Sequence, residues 1–250
     1  MERPFPGLRT NLVQTSTGGG RLRLLIVHGM STHTQGYSSN FVETIAKKLK
    51  LNCVSSQLVS LTNSAGETNG FLATSDYQAS TNRLRAYELT WSPVTWAEKT
   101  NQFALDSQLD RKRGHLNKQL KSDLLNDGFG DAVLYLSTGF KPKMQEPVTN
   151  AILRILADGF TIHDQFIIIT HSLGSKLTFD SFNSVARSLA NSSKSEAQAI
   201  TNLAAQTTYM IMLANQIPLL RLGETNAAPG LIINGNKQIK QFLDMRQQGL

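Results

Sequence analysis

Short, uninterrupted apolar runs decide what this chain can fold into. Leu24-Leu25-Ile26-Val27 and Phe166-Ile167-Ile168-Ile169 are bounded by polar or turn-forming residues. Such runs are too brief for helices, and without alternation they suit strands buried on both faces, as in a parallel sheet. TTYMIMLAN (207–215) reads as a third buried strand. Helical spacing lies between them. NFVETIAKKLKL (40–51) places Phe41, Ile45 and Leu49 four apart, with Asn40 available as N-cap. EPVTNAILRILADGF (146–160) aligns Val148, Ile152, Ile155 and Leu156, with Pro147 in the first turn and Gly159 at the stop. GSKLTFDSFNSVARSLA (174–190) spaces Phe179, Phe182, Val185 and Leu189 along one face. Strand and helix in this alternation predict an α/β fold, a mostly parallel sheet flanked by helices.

The remaining chain fills in around that frame. Residues 1–20 read as an extended lead-in ending in Gly18-Gly19-Gly20, ahead of a domain over 21–250. Further strands are expected within 53–61 and over RLRAYELTW (83–91). Residues 62–80 and 191–198, rich in small polar residues, read as loops. The block from about 92 to 140 is helical but irregular. It is too long for a connection inside a compact sheet and is read as an inserted helical cap or lid. Trp91, Trp96, Phe103 and Leu105 beside it supply an amphipathic surface that suits lipid, or an ordinary packing face.

Composition narrows the classes. With 250 residues and 40% hydrophobic content the chain can bury a sizeable core, and a net charge of +7 is too small to hold it disordered. Its single cysteine, Cys53, excludes an internal disulfide and a multi-thiolate metal site. No metal or organic cofactor is called for. No stretch approaches the roughly 18 apolar residues of a spanning helix, and residues 1–20 lack a signal-peptide run, so the default expectation is cytoplasmic. Basic charge concentrates in RKRGHLNKQLK (111–121), which suits a solvated helix face or an anionic membrane surface. Nucleic acid is disfavoured, because no aromatic residues interleave with these charges.

One place carries chemistry. The strand QFIIIT runs into His171-Ser172-Leu173-Gly174 and then a helix, which puts Ser172 at the apex of a strand–turn–helix. Such a turn strains the serine backbone, lifts Oγ above the sheet and aims the following N–H groups at a substrate oxygen. Small residues are needed two before and two after the serine. Gly174 meets the second requirement, and Thr170 stands where glycine is usual.

These residues resemble the nucleophile elbow of the α/β-hydrolase superfamily, above all its lipases and esterases. THSLG (170–174) is one half of the resemblance and IVHGM (26–30) the other, within roughly residues 20–60 and 145–220. The resemblance implies an α/β-hydrolase fold with its helical insertion before the elbow strand. It implies Ser172 as nucleophile and the backbone N–H groups of Met30 and Leu173 as the oxyanion hole. His28, Gly29, Thr170, His171 and Gly174 would support the elbow and its neighbouring loop. The implied activity is hydrolysis of carboxylic esters, lipids among them, through an acyl-enzyme.

The same family orders its triad as Ser, acid, His along the chain. After Ser172 come Asp180, Glu196, Glu224 and Asp244, and no histidine. Glu224 is the candidate acid, since Asp180 lies too early. Three readings stay open. The acid–histidine part lies beyond a C-terminally incomplete chain; or His33 serves as base from an unusual position; or the fold has lost catalysis and binds a ligand or protein partner. His115 and His163 read as surface residues.

Overall fold

The computed structural model describes residues 5–109, 128–190, 194–215, 217 and 220. The basic cluster at 111–121, Glu224 and the tail at 236–250 lie outside them. The elements run α1 (Leu8–Thr17), β1 (Leu22–Val27), α2 (Ser39–Lys48), β2 (Asn52–Thr62), β3 (Thr68–Ala79), β4 (Asn82–Thr90), α3 (Pro93–Leu109), α4 (Gly130–Leu136), α5 (Lys141–Ala157), β5 (Gln165–His171), α6 (Leu173–Ala190), α7 (Lys194–Gln206) and β6 (Thr207–Leu213). The described strands form one six-stranded sheet in the order β2-β3-β4-β1-β5-β6. Strands β4, β1, β5 and β6 are parallel, while β2, β3 and β4 form an antiparallel meander at one edge.

The apolar runs occupy the centre. Every residue of β1 is buried, because β4 and β5 flank it and helices cover both faces. Alternate side chains feed two cores. Leu25, Val27, Tyr87, Leu89, Phe166 and Ile168 meet α4, α5, α6 and α7 on one face. Leu22, Leu24, Ile26, Leu84, Ala86, Ile167 and Ile169 meet α1 and α2 on the other. A three-layer α/β sandwich follows from the period of two along each strand.

Several expectations change. The lead-in is not extended: α1 forms over Leu8–Thr17 and buries Asn11, Leu12 and Thr15. Its hydroxyls bond back to carbonyls of the preceding turn, as Ser16 does to Leu12 O at 2.7 Å. Residues 62–80 are not a loop, since β3 fills most of them. A turn at Asn63–Glu67, closed by Gly66 at φ +82°, joins it to β2. Small polar residues serve there because β3 lies between two partner strands, so ladder hydrogen bonds replace an apolar run. In α2 the buried side chains are Val42 and Ala46, Phe41 is exposed, and Ser38 rather than Asn40 occupies the N-cap. Helix α5 starts at Lys141, which places Pro147 inside the helix rather than in its first turn. The polar stretch after α6 is helical from Lys194, and β6 is half-buried, with no partner strand on its outer side among the described residues.

The described ends of the 92–140 block pack on the sheet. Tyr135 and Trp91 are buried in the first core, with Val94, Ala132 and Leu134 against it. Trp91 therefore belongs to the core and not to a lipid-facing surface, whereas Trp96 is 56% exposed. Among the described residues no helix is long and apolar enough to cross a membrane.

Candidate functional site

Strand β5 and helix α6 meet at Ser172, whose φ is +50°. A non-glycine residue in the left-handed region costs of order 1 kcal/mol and persists only where its surroundings fix it. Here the surroundings are specific. The Ser172 N–H donates to Leu213 O of β6 at 2.8 Å, and the Ser175 N–H donates to Ser172 O at 3.0 Å. Ser172 is 5% exposed. Among the described residues no side chain hydrogen-bonds its Oγ.

The loop after β1 lies directly against this turn. A Cβ on Gly29 would stand 2.9 Å from Ser172 Cβ and 2.8 Å from His171 Nδ1. A Cβ on Gly174 would stand 2.1 Å from His28 O. The two glycines therefore interlock the segment 28–30 with the segment 171–174, which is why neither position tolerates a side chain. Thr170 is accommodated where glycine is usual: it is buried, and its Oγ1 shares a 2.9 Å hydrogen bond with Ser175 Oγ. Leu173 is fully buried and opens α6, where first-turn N–H groups lack intrahelical acceptors. Met30 is partly buried against the same core. His171 is exposed at the strand end.

His28 is a structural residue. Its Nε2 accepts from the Trp91 N–H at 3.1 Å, so the proton sits on Nδ1, which donates to Gly29 O at 2.8 Å. The Trp91 indole N–H donates to His28 O at 3.0 Å, and the two rings stack 4.8 Å apart. Burial first, and then the neighbouring His33, push the His28 pKa down to about 3. A neutral imidazole with both nitrogens engaged is not available as a base. His33 is half-buried, its ring 4.3 Å from that of His28.

Sequence reasoning missed the residues that hold this loop. Asp131, fully buried on α4, accepts from the Ser31 N–H at 2.8 Å and pairs with the buried Lys99 at 3.0 Å. Burial raises its pKa against the opposing pull of Lys99, Thr95 and Ser31. Ser31 takes φ +81°, so the chain leaving Met30 is bent around this bond. Ser92 brackets His33, donating to its carbonyl and accepting from its N–H, both at 3.1 Å. Glu88 on β4 is buried and accepts from the N–H groups of Gly36 (2.6 Å) and Ser38 (2.7 Å). An acid inside an otherwise apolar segment, as in FGDAVLYL or YELTW, was the available signal. Among the described residues no group of three His, Cys, Asp or Glu side chains could hold a metal ion.

The structure thus brings together Ser172, Gly29, His28, Thr170, His171, Leu173 and Gly174, with His33 on the adjoining loop. Comparison with known proteins returned nothing: no family model, no curated protein and no solved structure matches this chain.

Proposed function

We propose that the chain is a serine hydrolase of carboxylic esters, built on an α/β-hydrolase-like sheet. The observation that carries this reading is the pairing of a strained Ser172 with the loop interlocked against it through Gly29 and Gly174. In the proposed reaction Ser172 Oγ attacks the ester carbonyl carbon and loses its proton to a base. The N–H groups of Met30 and Leu173 stabilise the oxyanion. Collapse of the tetrahedral intermediate breaks the acyl C–O bond, the leaving alcohol takes the proton, and water then hydrolyses the acyl-enzyme. The His28 geometry supports a rigid oxyanion loop and assigns that histidine no proton transfer. His33 is the candidate base within the described residues, and Glu224, outside them, the candidate acid.

The test is covalent labelling of the whole chain with a fluorophosphonate, read by mass spectrometry, alongside turnover of p-nitrophenyl acetate. Expected is one label on Ser172, lost together with turnover in Ser172→Ala. His33→Ala lowering turnover without changing the fold would assign the base. A chain that folds, yet neither labels nor shows turnover above that of Ser172→Ala, would be a binding module. That second reading is favoured by the lack of a described side chain bonded to Oγ.

A further inference from the structure

The opposite end of the sheet carries four arginines around one cavity. Because β1, β4 and β5 run parallel, their N-terminal ends lie together, a strand length away from Ser172. Arg21 leads into β1 and Arg23 follows on it; Arg83 and Arg85 stand on β4, with Arg23 directly opposite Arg85 in register. The spacing of two in each strand puts all four on one face. With Gly20, Phe160 and the carboxylates Asp158 and Asp164 among its other walls, they line a cavity of about 420 Å³.

The charges do not balance. Three carboxylates, Asp76, Asp158 and Asp164, serve four guanidiniums. Arg23 is closed off: it bonds Asp164, Tyr87 and Gly159 O, and stacks over Phe160 at 4.2 Å. Arg85 is also closed off, bidentate to Asp76 at 2.8 Å and bonded to Asp158 at 3.0 Å. That leaves Arg21, with a 3.5 Å contact to an Asp76 already engaged by Arg85. It also leaves Arg83, which donates to Gly19 O and bonds no carboxylate among the described residues. A guanidinium has five N–H donors, so both keep unused donors, and both residues line the cavity.

We infer that this cavity binds a phosphate-type anion carried on a small molecule, with Arg21 and Arg83 as its ligands. Phosphate suits the planar donor fork of arginine, and the volume is in the range of small-molecule sites and larger than one phosphate group needs. The crowding is visible at Arg21, whose pKa falls through burial and then through Arg85, with Arg23 and Arg83 adding to it. A bound anion relieves that repulsion. The site shares no residue with the Ser172 machinery, so it stands whether or not the chain hydrolyses esters.

Calorimetric titration of the whole chain with inorganic phosphate and with glycerol 3-phosphate, at constant ionic strength set by chloride, tests the site. Saturable one-to-one binding is expected, tighter for the ester and weakened at least tenfold in Arg83→Gln and in Arg21→Gln. Ser172→Ala should bind like the parent chain. Circular dichroism and melting temperature show that each variant is folded; because Arg83 bonds only a carbonyl, its variant tests the site even if Arg21→Gln fails to fold. Vesicles of phosphatidylcholine with and without phosphatidic acid separate the sources. Binding that requires phosphatidic acid, is competed by free phosphate and is lost in Arg83→Gln supports the same site and assigns the phosphate to a headgroup. No saturable binding of any phosphate, or binding unchanged in folded Arg83→Gln, would overturn the inference.

Discussion

The two ends of the parallel strands solve opposite problems with charge. At the C-terminal end, where Ser172 sits, buried charged side chains hold a loop: Asp131, paired with Lys99, accepts from the Ser31 N–H, and Glu88 accepts from those of Gly36 and Ser38. At the N-terminal end the buried Arg23–Asp164 pair adjoins a partly exposed lattice linking Arg21, Asp76, Arg85 and Asp158. The first arrangement fixes backbone, the second shares charge among neighbours. A dry pair positions a loop rigidly but fails badly when broken, whereas an exposed lattice spreads its losses.

That contrast is sharpest at two aspartates. Removing Asp131 takes away a carboxylate that pairs with the buried Lys99 and frees the Ser31 N–H. Asp131→Ala is therefore expected to lose about 3–5 kcal/mol of folding stability, the usual penalty for breaking a buried pair. Asp158 is different: its side chain is 35% exposed, and Arg85 keeps a bidentate bond to Asp76 without it. Asp158→Ala removes that exposed ion pair and the acceptor of the buried Tyr87 hydroxyl, 2.8 Å away, and should cost about 1–2 kcal/mol. Urea denaturation of both variants measures the difference. Equal losses would mean that the two ends are not supported differently.

The ends should also part company in acid. His28 in the folded chain titrates near 3, against an ordinary 6.5. Between those values the unfolded chain binds the proton and the folded chain does not, so folding stability falls as pH drops. This contribution is intact above pH 6.5 and is lost progressively toward pH 3, amounting to about 2 kcal/mol by pH 5. At the other end Asp76, paired with Arg85, is held below its ordinary value of 3.8, so its stabilisation is lost only at more acid pH. The acid limb between pH 6.5 and 4 should therefore vanish in His28→Gln and persist in Asp76→Asn. Denaturant midpoints across that range check it; a limb that survives in His28→Gln would remove His28 as its source.

How much of this was legible varies with the distance over which each feature is determined. Strands β1 and β5 were readable because burial on both faces writes an unbroken apolar run into a few adjacent residues. The strand–turn–helix at Ser172 was readable for the same reason, since its strand, serine, glycine and helix are contiguous. Strand β3 was not: TNGFLATSDYQA owes its conformation to two flanking strands, and its composition is that of a loop. Helix α1 was hidden because its buried face holds Asn11 and Thr15 beside Leu12. The supports of the Ser172 loop were hidden because each is brought in from far along the chain. Asp131 lies 100 positions from Ser31, and Ser92 lies 59 from His33. No local pattern records such a pairing, although a lone acid among apolar residues marks a position that must have a partner.

The smallest expected effect separates backbone from side chain at the Ser172 end. The proposed reaction uses the Met30 N–H as an oxyanion donor, while the Met30 side chain packs partly buried against the first core. Met30→Leu keeps the N–H and nearly the same volume, so stability should change by under about 1.5 kcal/mol. Turnover should stay within about tenfold of the parent chain, because losing one true oxyanion donor costs about 10²–10³ in kcat. Met30→Pro removes the N–H and should incur that larger loss. Its fold needs an independent check by circular dichroism, since Ser31 beside it already sits at φ +81°. The informative quantity is the ratio of the two variants, measured with the same activated ester. A ratio near one, in two folded proteins, would show that the Met30 N–H does not face the reacting oxygen. The loop that Asp131, Ser92 and Glu88 hold would then serve to pack against Ser172 and not to stabilise charge.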